Sequence, residues 1–260
     1  MNILDTIVAH KKKEVAGRKK TFPVSYLEKL PFYNRECISL KKALLTKDST
    51  GIIAEFKRKS PSKGFINEHA DVATVTKGYT EAGAAGLSVL TDNFFFGGST
   101  EDLITARAND LSILRKDFII DPYQVTETKA MGADLVLLIA ACLSPDEVKK
   151  MAQSAVALGM EVLLELHEEN ELGHICEEVS LIGINNRNLK DFTVNINASL
   201  RLAELLPPGT VMVAESGIDD PEVIETFREK GFKGFLIGET FMKENDPGAA
   251  FGNFVQNMNA

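Results

Sequence analysis

A chain of 260 residues, 44% hydrophobic and 25% charged, has the balance of an ordinary globular protein and can bury a sizeable core without staples. That excludes a disordered tail, a collagen and a small disulfide scaffold. A net charge of −8 argues against a nucleic-acid partner, which would call for a basic excess.

The opening segment, MNILDTIVAHKKKEVAGRKK, has no long apolar run followed by small residues, so it does not read as a secretory signal. It reads as a helix whose apolar side is Ile3, Leu4, Ile7 and Val8. The cluster Lys11, Lys12, Lys13, Arg18, Lys19 and Lys20 is expected on its solvated face. Residues 1–48 are predicted to form two or three short helices (3–19, 24–30 and 39–46) interrupted by Pro23 and Pro31. They are too few to hold a core alone, so they are expected to pack as an extension on the single domain 1–260.

From residue 52 onward, short β-rich runs alternate with helix-like stretches. The predicted strands are 52–57, 86–91, 113–118, 135–140, 161–166, 181–186, 211–216 and 234–238, starting 20 to 34 residues apart. That spacing holds a strand, two turns and a helix. Ser144-Pro145-Asp146-Glu147 is a capping box, and Asp121-Pro122 and Asp220-Pro221 offer the same cap-then-proline start. Gly83, Gly132, Gly159 and Gly231 fall where helices should stop. Strict βα alternation demands a parallel sheet, and eight units fit a closed (β/α)8 TIM barrel with an N-terminal helical extension. The alternative, an open doubly wound sheet, would be expected to carry a G-x-G-x-x-G turn after its first strand, which this chain lacks. The uncharged stretch Leu135–Pro145 is 11 residues, against the roughly 20 a membrane-spanning helix needs, and no membrane partner is expected.

In such a barrel the active site lies at the carboxyl ends of the strands. The polar residues there are Glu55 and Lys57, Lys116, Glu165 then His167, Asn185 and Arg187, Glu215 with Ser216 and Gly217, and Gly238 with Glu239. Leu114, Lys116 and Phe118 share one face of their strand. Lys116 is assigned to the interior, and Arg115 and Asp117 to the helices outside. Buried lysines and glutamates must form a mutual network. Mutual repulsion between Lys57 and Lys116, offset by carboxylates, is expected to bring a lysine toward neutrality, where it can serve as a general acid. Ser216-Gly217 and Gly238-Glu239 put small residues where backbone N–H groups can meet a phosphate. The loop RKSPSKGFINEHAD after the first strand reads either as a lid, with Ser60 near the site, or as a solvated connection. Phe94, Phe95 and Phe96 stand beside paired glycines and suit a pocket for a flat apolar group, with at least one of them packing on a helix. His167 with Glu165 could suggest a base or a metal ligand, but one histidine among scattered glutamates is a poor metal signature, and no metal is expected. His10, His69 and His174 show no partner pattern. Cys37, Cys142 and Cys176 are odd in number and far apart, which fits free thiols in a reducing cytoplasmic compartment.

The segments IAEFKRKSPSKG, SVLTDNFFFGGS, LRKDFIIDPYQV, LLELH, IGINNRNL, AESGI and FLIGETFM resemble the indole-3-glycerol phosphate synthase family of tryptophan biosynthesis, from about residue 2 onward. The resemblance implies a carboxy-lyase that closes an indole ring on a phosphorylated small-molecule substrate, without a metal or organic cofactor. It implies Lys116 as general acid, with Glu165 stabilising the cationic intermediate and sharing the proton transfers of dehydration. Lys57 would meet the phosphate and the departing hydroxyl, and Glu55 would position the lysines. Asn185 and Arg187 would hold the anthranilate and sugar side. Ser216, Gly217, Gly238 and Glu239 would frame the phosphate, while Phe96 and Phe118 would sandwich the aryl ring. A cationic rim would suit a substrate bearing carboxylate and phosphate. Lys59, where a small residue is expected, and Gly97, in place of a polar one, depart from the family pattern. The nearest rival is another phosphosugar barrel enzyme such as an isomerase, which would want an acid–base pair straddling adjacent carbons. A non-catalytic phosphate-ligand binder would leave Lys57, Lys116 and Glu165 unexplained. Nothing in the sequence points to an obligate protein partner.

Overall fold

The computed structural model describes residues 3–188 and 193–258. Eight parallel strands close into a barrel. They are β1 (Ile52–Phe56), β2 (Gly86–Leu90), β3 (Ile113–Lys116), β4 (Leu135–Ile139), β5 (Glu161–Leu166), β6 (Leu181–Asn185), β7 (Met212–Glu215) and β8 (Gly234–Ile237). Each pairs with its sequence neighbours, and β1 closes the ring on β8 through Ile52–Phe235 and Ala54–Ile237. The predicted strands end one or two residues late in seven of eight cases. Those extra residues leave the ladder and carry the loops at the barrel mouth.

The caps act as read. Ser144 and Glu147 form a reciprocal capping box at the start of the helix Pro145–Ala157. Asp121 and Asp220 cap the helices Pro122–Ala130 and Pro221–Glu229. The one break in the helical rhythm follows β5. There only a 3-10 turn, Glu169–His174, fits into the short connection to β6. The side chains between strands and outer helices form the main apolar core. A second cluster fills the barrel interior with Ile53, Leu114, Leu135, Leu137, Leu163 and Val213, among others. Leu114 therefore does lie beneath Lys116.

The extension forms helices α1 (Ile3–Thr21), α2 (Val24–Leu27) and α3 (Leu40–Leu45), close to the predicted spans. Its basic cluster is only in part the solvated face expected: Lys12, Lys13, Lys19 and Lys20 are exposed, but Lys11 and Arg18 turn inward. Lys11 is fully buried, and its Nζ lies 2.9 Å from Glu14, 2.8 Å from Asp92 and 2.9 Å from Asp117. Arg18 reaches Glu127, and Lys19 reaches Asp121. An ammonium can be buried here because three carboxylates surround it. Burial opposes its charge, but Asp117 and Asp92 outweigh that and raise its pKa. His10, read as lacking a partner, stacks on Phe94 at 4.7 Å between ring centroids.

Arg115 and Asp117 face outward as assigned. Arg115 meets Asp117, Glu127 and Thr128. Burial works against the Asp117 charge, yet Arg115 and Lys11 hold its carboxyl at about 2. A depressed folded value contributes stability above the unfolded value near 4, and this is lost as pH falls through 2. Acid unfolding monitored by circular dichroism should therefore show an Asp117→Asn variant with a flatter stability slope between pH 4 and pH 2 than the unsubstituted chain. Equal slopes would refute the assignment.

Candidate active site

The mouth of the barrel holds a cavity of about 270 Å³. All fourteen residues singled out from the sequence line it: Glu55, Lys57, Ser60, Phe96, Lys116, Phe118, Glu165, Asn185, Arg187, Glu215, Ser216, Gly217, Gly238 and Glu239. Leu189, the last residue of the quoted motif IGINNRNL, lies outside the described residues. The apolar side of α1, through Ile3, Leu4 and Ile7, covers part of the same cavity.

At the centre, the Lys116 Nζ donates to Glu165 Oε2 and to Glu215 Oε2, each at 2.9 Å. Lys57 Nζ lies 2.8 Å from Glu55 Oε1. Asn185 Nδ2 donates to Glu165 Oε1 at 2.8 Å, and the Arg187 backbone N–H donates to Asn185 Oδ1. These bonds join β3, β5, β6 and β7 across the mouth, with the Lys57–Glu55 pair at the end of β1. The rim is thus not a free cationic surface, because Lys57 and Lys116 are each already paired with carboxylates.

The protonation pattern also corrects the expected direction. Burial opposes the Lys116 ammonium, but Glu165, Glu215 and Glu55 together outweigh it and raise its pKa above the ordinary lysine value. Lys116 stays charged. Glu165 and Glu215 are driven apart, as expected for neighbouring carboxylates. For Glu165, burial is overcome by Lys116, His167 and Asn185, which hold it ionised. For Glu215, burial, joined by Glu165 and Glu55, prevails over Lys116 and pushes its carboxyl up to about 7. Its Oε1 is buried and has no hydrogen-bond partner among the described residues, a position less costly for a neutral acid than for an anion. Gly183 makes that position available, since a Cβ there would collide with Glu215 Oε1.

A raised carboxyl value contributes stability that is full below the unfolded value near 4.5 and is lost as pH rises through 7. Glu215→Gln should therefore gain stability relative to the unsubstituted chain as pH climbs from 4.5 past 7. Urea unfolding at the two pH values tests this, and a constant difference would contradict it.

The two small-residue turns stand side by side. Ser216 and Gly217 both have left-handed backbone, φ 67° and 69°, so the chain leaves β7 in a tight turn that β-branched residues would strain. A Cβ on Gly217 would also strike Val194. Gly238 leads into the short helix Glu239–Met242, and a Cβ there would lie 2.7 Å from Glu55 Oε1. The Thr240 hydroxyl donates to the Ile218 carbonyl and ties the two turns together. Lys63, from the loop after β1, lies 2.7 Å from Glu239.

That loop is anchored rather than merely solvated. It forms a small hairpin, Lys59–Ser60 with Gly64–Phe65, and Arg58 grips Asp102 with two bonds of 2.6 and 2.9 Å. Lys59 donates to the Phe94 carbonyl. Of the three phenylalanines, only Phe96 lines the cavity, while Phe94 and Phe95 pack on His10 of α1. Phe96 and Phe118 touch each other, with centroids 6.0 Å apart and planes tilted by 39°. An aryl ring can enter between them only if they part. His167, which the sequence reading set aside, sits 3.2 Å from Glu165. Among the described residues no group of three or more His, Cys, Asp or Glu side chains is arranged to hold a metal ion. No helix among them is long and apolar enough to cross a membrane.

A closed parallel barrel that gathers ionisable side chains from β1, β3, β5 and β7 at one mouth belongs to the (β/α)8-barrel enzymes. Solved barrels agree on the fold: 3-hexulose-6-phosphate synthase from Salmonella typhimurium aligns with TM-score 0.64 at 9% identity, over 81% of this chain and 99% of that one. The family model for indole-3-glycerol phosphate synthase matches residues 4–254, and the chain belongs to that family, a group of carboxy-lyases in tryptophan biosynthesis. Proteins named indole-3-glycerol phosphate synthase from Bacteroides thetaiotaomicron and Salinibacter ruber are 49% and 44% identical to it. The first alignment covers 98% of each chain, the second 96% of this chain and 94% of the relative.

Proposed function

We propose that this mouth converts 1-(2-carboxyphenylamino)-1-deoxyribulose 5-phosphate into indole-3-glycerol phosphate, carbon dioxide and water, with Lys116 as the general acid. The observation that carries the reading is Lys116 itself, an ammonium held between Glu165 and Glu215 in a cavity that Phe118 also lines. The aryl carbon bearing the carboxylate attacks the sugar ketone. The Lys116 Nζ–H gives its proton to the ketone oxygen as the carbon–carbon bond forms. Loss of the carboxylate as carbon dioxide returns its bonding pair to the ring and restores aromaticity. The ring nitrogen then helps expel the new hydroxyl as water, with a proton from Lys57, because Lys116 has already given its own. The resulting cation faces ionised Glu165, which takes a proton from the former sugar C1 and so completes the indole. A lysine that stays charged is always loaded as an acid, and preorganised charge needs no rearrangement at the moment of reaction.

Glu55 holds Lys57 in place, supported by their 2.8 Å contact. Asn185 and Arg187 orient the anthranilate and sugar. Ser60 lies beside the substrate at the loop after β1. Ser216, Gly217, Gly238 and Glu239 frame the phosphate, chiefly through backbone donors, and Lys57 adds charge there. Phe96 and Phe118 part to grip the aryl ring. The residues proposed to act all come from one chain, which supports action without an obligate protein partner. Free Cys37, Cys142 and Cys176 support a cytoplasmic setting.

The test is a fluorescence assay for indole product with the anthranilate-ribulose phosphate as substrate. Indole emission that grows with enzyme concentration is expected; its absence under conditions where the protein is folded would sink the reading. Treatment with EDTA should leave the rate unchanged, and a loss of activity reversed by added metal would revive metal-assisted chemistry.

A further inference from the structure

His167 stands just past β5, two residues beyond Glu165, so its side chain shares the strand face that points into the mouth. Its ring is almost wholly enclosed, with 8% of the side chain exposed. Nε2 lies 3.2 Å from Glu165 Oε1, close but not aligned as a hydrogen bond, and Nδ1 lies 3.8 Å from Glu171 Oε2. Neither ring nitrogen has a hydrogen-bond partner among the described residues. Glu171 is itself fixed, because its Oε2 accepts the backbone N–H groups of His167 and Glu168. The imidazole is thus clamped between one anchored carboxylate and the carboxylate proposed to act in the reaction.

We propose that His167 is a positioning residue for Glu165, its ring bracing the Oε1 edge while Lys116 holds Oε2. The inference rests on the catalytic reading of Glu165 given above. Glu165 is faced by Lys116 from β3, Asn185 from β6 and Glu215 from β7, besides His167. His167 is faced by Glu165, by Glu171 of the 3-10 turn and, farther off, by Glu215. The neighbouring Cys142 thiol, at the turn after β4, is pushed up to about 12 by burial and by Glu165 and Glu171, and adds no charge. Burial works against an imidazolium, but Glu165 and Glu171 outweigh it and raise the pKa of His167. The pairing is reciprocal, since His167 helps keep Glu165 ionised.

The experiment compares His167→Leu, which removes ring and charge, with His167→Gln, which keeps a donor but no charge. Steady-state kcat and KM are measured across pH 5.5 to 9, with the melting temperature of each variant. His167→Leu should lower kcat about 10-fold, less than the roughly 10²–10⁴-fold lost with an acid–base group itself, and leave KM within about twofold. The unsubstituted profile should show kcat falling on the alkaline side as the His167 ring loses its proton, and that fall should be missing from His167→Leu. His167→Gln should recover part of kcat and likewise lack the fall. A profile of the same shape in all three proteins would overturn the proposal, whatever the change in rate. If His167→Leu does not fold, the His167→Gln profile decides alone. NMR titration of the His167 ring in the unsubstituted protein and in Glu165→Gln needs no substrate. The imidazole should titrate at lower pH once Glu165 is neutralised, and an unchanged titration would also overturn the proposal. An unsubstituted enzyme inactive on the anthranilate-ribulose phosphate would instead refute the proposed reaction, with the NMR result still judging the pairing.

Discussion

Replacing Lys116 with alanine is expected to lower turnover by at least roughly 10²–10⁴-fold, the usual loss when a general acid is removed. The reasoning is geometric first. Lys116 is the last residue of β3, and its Nζ holds Glu165 and Glu215 together at 2.9 Å each. Its removal takes away the proposed proton for the ketone oxygen and the charge that keeps Glu165 ionised. The two carboxylates then face each other and Glu55 without that cation, so protons replace it. Because protons can neutralise those groups, the barrel should still form, and near-ultraviolet circular dichroism should match that of the unsubstituted enzyme. Indole emission under single-turnover conditions is the direct measurement. Near-normal indole formation in a folded variant would remove Lys116 from its role.

The largest stability effect is expected just behind the reacting groups, at Lys11. Lys11→Met keeps much of the side-chain volume but leaves Asp92 and Asp117 buried without their shared cation. Breaking a buried pair by removing one partner costs about 3–5 kcal/mol, and full burial removes the solvent screening that makes surface pairs weak. The consequence extends to the site. Asp92 caps the short helix Asn93–Phe96 by accepting the Phe95 N–H, and Asp117 accepts the Phe118 N–H. Lys11 therefore ties α1, which covers the cavity, to the two loops that carry Phe96 and Phe118. Urea unfolding followed by circular dichroism measures the loss. A loss below about 1 kcal/mol, the worth of an exposed ion pair, would show that water reaches this cluster.

The alternation of strands and helices was legible residue by residue because each element needs only its own period and caps. Ser144, Asp121 and Asp220 cap the helices that they appeared to cap, and eight strands close into the expected ring. The barrel rule then located the site, since it assigns chemistry to the strand ends without coordinates. Lys11 was misread for the opposite reason. Helical spacing puts it on a basic stretch, but its partners Asp92 and Asp117 belong to strand ends that only the packed extension brings near. His167 was passed over because no metal-like pattern surrounds it, although two positions back stands the carboxylate that it braces.

What the sequence determined by itself was the architecture, the family and the set of side chains at the mouth, all carried by local periods and short motifs. Tertiary structure alone decided which of those groups hold charge and which touch. Lys116 meets Glu215 across 99 positions of chain, and the sign of its shift depends on three carboxylates from β1, β5 and β7. An ionisation state is a sum over every charge within a few ångströms, whereas a sequence pattern records only neighbours along the chain. The contact between Phe96 and Phe118 and the burial of Lys11 are likewise properties of that assembled neighbourhood.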